Sequence, residues 1–212
     1  MRKLISITLA IVFMAAIGGM PANGSDFRDT PQFGMKAGVN YSNLYDTKGE
    51  AFNADPIFGF AAGVFISIPI GRYIGVQPEI LFSQKGFQAH GTVLGSPYRF
   101  TRTTSYLDVP LLFAMKPAAF LTLLIGPQYS YLMNQTDVFT LGALSVVEVQ
   151  EFKNDNITKN TFCFLGGFDI NAGHLIVAPR MGWDISDNNG DGTSTNPRYK
   201  NVWYQATIGF RF

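Results

Sequence analysis

The stretch NVWYQATIGFRF, residues 201–212, has an apolar side chain at every second position and ends on Phe212. The positions between carry Trp203, Arg211 and small or polar residues. Such alternation is typical of a β-strand that separates two environments. A tilted strand crosses a bilayer with about ten residues. The stretch therefore predicts a membrane-crossing strand, with Phe212 at the inner lipid interface.

Seven earlier stretches repeat this alternation, and each is roughly ten residues long. A polar or glycine-containing face again alternates with an apolar one. Eight such stretches favour a closed barrel, because lipid cannot satisfy the hydrogen bonds of an open sheet edge. The seven are residues 32–42, 58–68, 74–83, 106–115, 121–131, 161–170 and 174–185.

The connections alternate in length, as in an up-and-down barrel with long outer loops and short periplasmic turns. The sequence thus predicts an all-β fold, an eight-stranded antiparallel up-and-down transmembrane β-barrel with both termini in the periplasm. The long connections are residues 43–56, 86–104, 134–160 and 187–200, and the short ones are residues 69–72, 116–119 and 172–173.

The composition agrees with this fold and excludes other classes. Charged residues make up 15% of the chain, whereas about 25% is usual in soluble domains. The net charge of +1 does not indicate nucleic-acid binding. Cys163 is the only cysteine, so the chain has neither an internal disulfide nor a cysteine metal cluster.

Residues 1–24 read as a secretory signal peptide. Arg2 and Lys3 precede an uninterrupted apolar run, and small residues follow it. The run is shorter than the roughly 20 residues of a spanning helix. We expect cleavage between residues 18 and 24 and an outer-membrane β-barrel over residues 25–212.

A soluble eight-stranded barrel would alternate in the same way, so the composition of the two faces discriminates. One face is apolar without charge at mid-strand, and the other carries nine glycines. Glycine weakens an exposed strand but makes room inside a narrow barrel. We therefore expect the apolar face in lipid, with aromatic girdles at both ends. The outer girdle is Tyr41, Tyr129, Tyr131, Trp183 and Tyr204, and the inner one is Phe33, Phe113, Phe210 and Phe212.

Eight charged residues fall on the inward face and are of both signs. Because unpaired buried charge is costly, we expect them to pair as a structural plug of a filled lumen rather than an ion path. Four prolines lie within strands, where local bulges are expected. The charges are Lys36, Glu79, Lys85, Asp108, Asp169, Arg180, Asp184 and Arg211, and the prolines are Pro78, Pro110, Pro127 and Pro179.

Four stretches resemble the PorT-type outer-membrane β-barrel family, and the resemblance covers nearly the whole chain after the signal region. The most specific is YLDVPLLF, residues 106–113, with its mid-strand proline. The resemblance implies a small, OmpA/OmpX-like outer-membrane barrel; the family's namesake is implicated in secretion and gliding. The other stretches are QPEILFSQKG at residues 77–86, LLIGPQYSYLM at residues 123–133 and APRMGWDISD at residues 178–187.

The sequence predicts no catalytic, cofactor or metal residue. His90 lies in an outer loop with Ser96, and His174 precedes a strand near Asp169. An acyltransferase or protease with a loop or rim site is the alternative function, and it needs a spatial triad. DNNGDG, residues 187–192, starts like a calcium loop with Asp187, Asn189 and Asp191, but Arg198 stands where Glu is expected.

The third long connection, residues 134–160, is the expected functional region. Its core VFTLGALSVVEVQ partly alternates and is interpreted as a hairpin beyond the membrane. The sequence does not decide whether this hairpin only extends the barrel or forms a partner-binding surface. We expect a non-enzymatic, monomeric scaffold in contact with outer-membrane lipid, with a protein partner at its extracellular loops and no nucleic acid.

Overall fold

The computed structural model describes residues 26–45, 54–93, 96–141, 144–150, 159–186 and 200–212. These ranges contain nine antiparallel strands, and no helix within them is long and apolar enough to cross a membrane. The strands are β1 (Gln32–Tyr45), β2 (Ala54–Pro69), β3 (Ile74–Val93), β4 (Ser96–Ala118), β5 (Leu121–Leu141), β6 (Leu144–Gln150), β7 (Asn160–Ala172), β8 (Leu175–Asp184) and β9 (Lys200–Arg211).

Eight strands form a closed ring, in the order β1–β2–β3–β4–β5–β7–β8–β9 and back to β1. The ninth, β6, pairs with the outer part of β5, between Leu141↔Leu144 and Gln135↔Gln150. The ring closes where β1 meets β9, and the Phe212 amide donates to the Phe33 carbonyl at 2.9 Å. The predicted eight-stranded all-β barrel is confirmed.

The two faces lie as the alternation predicts. Trp203 is 1% exposed inside the barrel, whereas Tyr204 is 56% and Ile208 66% exposed on the outside. The outward girdle residues Phe33 and Phe212 stack with ring centroids 5.9 Å apart. The apolar face is therefore the outer surface of the ring, and the face that carries the glycines is the inner one.

The outer ends of β3 and β4 correct the prediction that residues 86–104 form a loop. Cross-strand pairing continues from Gly86↔Thr103 to Val93↔Ser96. The inward face still carries the buried Phe87 and Ala89, but outward positions such as Gln88, His90 and Arg99 are polar, so the apolar alternation fades although the strands continue. In residues 134–160, the hairpin interpretation is confirmed for β5 and β6.

The in-strand prolines correct a second prediction. The register is unchanged on both sides of Pro78, Pro110, Pro127 and Pro179 in the described strands. Register shifts occur elsewhere, between Pro56 and Ala61 and at two positions of β4. The bulges expected at these prolines are therefore absent from this part of the chain.

Each proline instead interrupts the ladder toward the preceding strand. In the described strands, the pairs Ile66/Pro78, Glu79/Pro110, Leu111/Pro127 and Phe168/Pro179 are all missing. The physical reason is that proline has no N–H to donate. At one of these gaps, the Arg180 guanidinium donates to the Phe168 carbonyl at 2.9 Å and replaces the missing donor.

Candidate functional site

One network of charges spans the inner half of the barrel. It joins Lys36 of β1, Gln77 and Glu79 of β3, Asp169 of β7 and Arg180 of β8. Lys36 pairs with Glu79, and Arg180 approaches Asp169 to 2.6 Å and Glu79 to 3.8 Å. The Gln77 amide donates to Glu79 at 2.9 Å. The network therefore ties four strands together across the interior.

A second ion pair lies nearer the outer end. The Lys85 ammonium lies 3.0 Å from the Asp108 carboxylate, and both side chains are 1% exposed. The same ammonium lies 3.8 Å from the centroid of the Trp203 ring and 4.9 Å from that of Tyr106. Lys85 is thus held by one carboxylate and two aromatic faces, which attract a cation through their ring quadrupoles.

Asp184 forms a third buried polar group. Its carboxylate accepts from the Asn201 amide groups at 2.8 and 2.9 Å and from the Cys163 thiol at 3.0 Å. Its backbone carbonyl accepts from the Tyr45 hydroxyl at 2.5 Å. These bonds join β7, β8 and β9 to the end of β1.

All eight charges that the sequence assigned to the inward face are buried inside, and their exposed fractions are 9% or less. Six take part in ion pairs, as expected. Asp184 binds polar groups, and the Arg211 Nε donates to the Gly173 carbonyl at 2.9 Å. The arrangement fixes strands relative to one another; a sequence pattern can place these charges on a face but cannot say which ones pair.

Neither histidine is part of a complete triad in the described residues. His90 is exposed, and its Nδ1 lies 3.0 Å from Asp55, an acid that the sequence reading did not connect with it. Ser96 pairs with Val93 at the hairpin end. The His174 Nδ1 lies 2.7 Å from the Arg211 carbonyl instead of binding Asp169.

The candidate calcium residues Asp187, Asn189 and Asp191 lie outside the described residues, as does the signal region of residues 1–24. Within the described ranges, no group of three or more His, Cys, Asp or Glu side chains is arranged to hold a metal ion.

The ring is taller on one side. We call residues 86–93, 96–104, 134–141 and 144–150, the outer ends of β3, β4, β5 and β6, the outer wall. A cross-strand row on its inward face runs Ala89↔Phe100↔Phe139↔Val146. Exposure rises along this row, from 6% at Ala89 to 39% at Phe139 and 64% at Val146. The wall therefore presents apolar side chains above the barrel mouth.

A partly buried ion pair at the base of this row stiffens the outer wall. The Arg102 guanidinium donates two hydrogen bonds of 2.8 Å to the Asp137 carboxylate. The guanidinium carbon lies 5.3 Å from the centroid of the Phe100 ring. Bidentate pairs of this kind are among the strongest hydrogen-bonded contacts. This pair is not predicted from the sequence because Arg102 and Asp137 both fall in connections predicted as loops; their opposite charges on facing hairpins were the available signal.

A family model described as "Outer membrane protein beta-barrel domain" matches residues 23–189. The chain belongs to this family. It is accordingly an outer-membrane β-barrel protein of the Gram-negative type, as the alternation predicts. Comparison with curated proteins gives no match.

Several solved outer-membrane proteins are similar in structure to this member of the family. Ail of Yersinia pestis is 12% identical, with a TM-score of 0.44, covering 85% of this chain and 98% of that chain. Neisserial surface protein A is 8% identical, with a TM-score of 0.49, covering 85% and 97%. OprG from Pseudomonas aeruginosa is 14% identical, with a TM-score of 0.40, covering 87% and 97%.

Proposed function

We propose that the protein is a non-enzymatic surface scaffold that binds a protein partner through its outer wall. The observation that carries this proposal is the exposed apolar row ending in Phe139 and Val146. Exposed apolar patches often mark interaction sites. The resemblance to the PorT-type family supports an association with secretion, and the proposed form is a monomer exported with residues 1–24 as its signal peptide.

The energetics favour a partner at this position. Burying a large apolar side chain contributes roughly 1.5–3 kcal/mol, so a partner covering Phe139 and Val146 recovers part of that. A second attraction is the backbone of β6, whose only strand partner in the described part of the chain is β5. A free strand edge can pair with an extended segment of another protein.

The proposed barrel conducts no ions. An eight-stranded interior is just wide enough for side chains, and the ion pairs of Lys36, Lys85 and Arg180 lie across it. Leu81, Leu112 and Leu165 are also buried inside. In planar bilayers, the purified protein should give no steady conductance, and a stable open channel would contradict the filled lumen.

The register provides a clean test of the outer wall. Asp137 pairs with Glu148, so replacing residues 138–147 by Asn-Gly closes the hairpin with a two-residue turn. The change removes Phe139 and Val146 but keeps the Arg102–Asp137 ion pair. The barrel should still fold, as seen by its band shift on heating, and cross-linking in intact outer membranes should lose the partner.

Two controls keep the result specific. His90 pairs with Arg99, so replacing residues 91–98 by Asn-Gly trims the neighbouring hairpin and should reduce cross-linking less. Phe139→Ser with Val146→Ser should lose the partner, whereas Val138→Ser, on the other face, should keep it. Undiminished cross-linking without residues 138–147, or failure of that variant to form a barrel, would refute the proposal.

A further inference from the structure

At the opposite, periplasmic end, residues 26–31 lie across the barrel mouth. We call them the N-terminal strap. Asp26 lies 3.3 Å from Arg72 in the β2–β3 turn. The Lys116 ammonium, near the end of β4, donates to the Arg28 carbonyl at 3.3 Å. The strap therefore contacts the rim at separate strands.

The aromatic ring of the strap reaches the other side of the mouth. The Phe27 ring lies 4.6 Å from the Arg211 guanidinium of β9 and 5.3 Å from the His174 ring. Beneath the strap is a small cavity that is partly open to solvent. Its lining includes Gln32, Lys116 and Arg211, together with Thr122 and other polar side chains.

The charges around this cavity do not balance. Lys116 is 4% and Arg211 9% exposed, yet neither lies within 4 Å of a carboxylate among the described residues. Their only hydrogen bonds in that part of the chain go to backbone carbonyls, of Arg28 and Gly173. Asp169 also lines the cavity, but Arg180 holds it at 2.6 Å. Lys116 and Arg211 thus lack a carboxylate in direct contact; Asp26 and Asp29 of the strap and Asp169 attract them only from a longer distance.

Besides Lys116 and Arg211, the cavity lining contains a buried hydrogen-bond acceptor, the side chain of Gln32. Gln32 is 7% exposed, and its amide nitrogen donates to Thr30 and Pro31. Its Oε1 has no hydrogen-bond partner in the described residues. A ligand that satisfies this cavity needs negative charge for Lys116 and Arg211 and a proton to donate to Gln32.

We infer that the cavity under the N-terminal strap binds a phosphate group that retains a proton, as inorganic phosphate or a phosphate monoester. A phosphate with one proton left carries two negative charges as inorganic phosphate and one as a monoester, and it offers several acceptor oxygens. These match the ammonium of Lys116 and the two terminal nitrogens of Arg211, which donate to no described residue. Its remaining O–H can donate to the Gln32 oxygen, whereas sulfate has no such proton.

The test uses the full mature chain, folded in maltoside micelles that contain no phosphate. Titration calorimetry with inorganic phosphate should show saturable binding, with sulfate at least about tenfold weaker. Dihexanoyl phosphatidic acid, a phosphate monoester on a short lipid, serves as the second ligand. Binding of either ligand supports the site and identifies its source as the free anion or a lipid headgroup.

The variants separate a built site from general positive charge. Lys116→Gln should weaken phosphate binding at least about tenfold. Arg99→Gln removes an exposed cation at the outer end of β4, far from the cavity, and it should change binding less than about twofold. Circular dichroism checks that both variants fold. Should Lys116→Gln fail to fold, the preference for phosphate over sulfate in the unaltered protein decides instead.

Three results would overturn the inference. The first is absence of saturable binding by both ligands, and the second is equal affinity for sulfate and phosphate. The third is an equal loss in Arg99→Gln and Lys116→Gln, which would mean attraction by net charge alone. Because the outer wall is at the other end of the barrel, none of these results bears on the proposed partner binding.

Discussion

Two glycines on neighbouring strands show how differently the two faces of the barrel are packed. A Cβ added to Gly182, which faces inward on β8, would lie 2.3 Å from the Trp203 ring. A Cβ added to Gly166, which faces outward on β7, would find its nearest neighbour at 3.9 Å. The inside is packed against fixed side chains, whereas the outside faces fluid lipid. The same substitution should therefore have different costs on the two faces.

The largest effect is expected from breaking a buried pair inside. Lys85→Met leaves the Asp108 carboxylate uncompensated at 1% exposure and should lower the free energy of unfolding by about 3–5 kcal/mol. Adding Asp108→Leu removes the orphan charge and should restore most of that loss. Denaturant unfolding in lipid vesicles measures both variants. Equal stability of the single and double variants would show that the pair is not buried as described.

A charge placed on the outer face should come next. Leu111 is 55% exposed at mid-strand on the lipid side, and Leu111→Arg should cost about 2–4 kcal/mol. Ile70→Arg, in the periplasmic turn, is the matched control and should cost at most about 1 kcal/mol. The same unfolding experiment compares them. Similar values for both variants would argue that Leu111 does not face lipid.

The two glycines themselves give the third comparison. Gly182→Ala has to displace the Trp203 ring and should destabilise by about 1–3 kcal/mol. Gly166→Ala meets open space and should stay within about 0.5 kcal/mol of the unaltered protein. Trp203 fluorescence should shift only in the inward variant. A shift in both, or in neither, would mean that the two faces are packed alike.

The smallest effect concerns the N-terminal strap. The Arg28 side chain donates hydrogen bonds to Asp26 and lowers the pKa of that carboxyl from 3.8 to about 2. Because the folded pKa is depressed, the contact is complete above pH 3.8 and is lost as pH falls toward about 2. The Arg28 Nε–H resonance should follow this titration by NMR.

Arg28→Gln removes the hydrogen-bonding guanidinium and supplies the control for the strap. The pKa of Asp26 should then rise toward 3.8, read from its own carboxyl resonance. An unchanged midpoint near pH 2 would show that another group holds the carboxylate. Since the pair is exposed at the surface, global stability should hardly change.

The sequence predicted the wall of the barrel because one physical rule applies along each membrane strand. Lipid demands an apolar side chain at every second position, so the inward location of Trp203 and Lys36 follows from parity alone. The rule ends where the lipid ends. Beyond the membrane, β3 continues to Val93 and β4 starts at Ser96, but their outward positions are mostly polar, so the sequence pattern predicts a loop there.

The partners of the inward side chains could not be predicted from the sequence in the same way. The Gln205 amide donates to Asn40 at 2.9 Å across 165 positions of the chain, and parity does not select this partner. The proposed phosphate site is harder still, because Gln32, Lys116 and Arg211 come together only when the ring closes. The hydrophobic alternation predicts which face of the sheet a residue lies on, whereas only the strand register determines which residues it contacts.

The gaps at the four prolines have a consequence for how the ring is held together. They fall in the seams β2–β3, β3–β4, β4–β5 and β7–β8, whose strands are joined by connections of at most four residues. A short covalent tether keeps two strands at high effective concentration, so a lost hydrogen bond there is readily tolerated. The β1–β9 seam has no such tether, and its ladder runs through twelve consecutive pairs, from Gly34↔Arg211 to Tyr45↔Lys200. The ladder is thus free of gaps where the polypeptide itself contributes no connection.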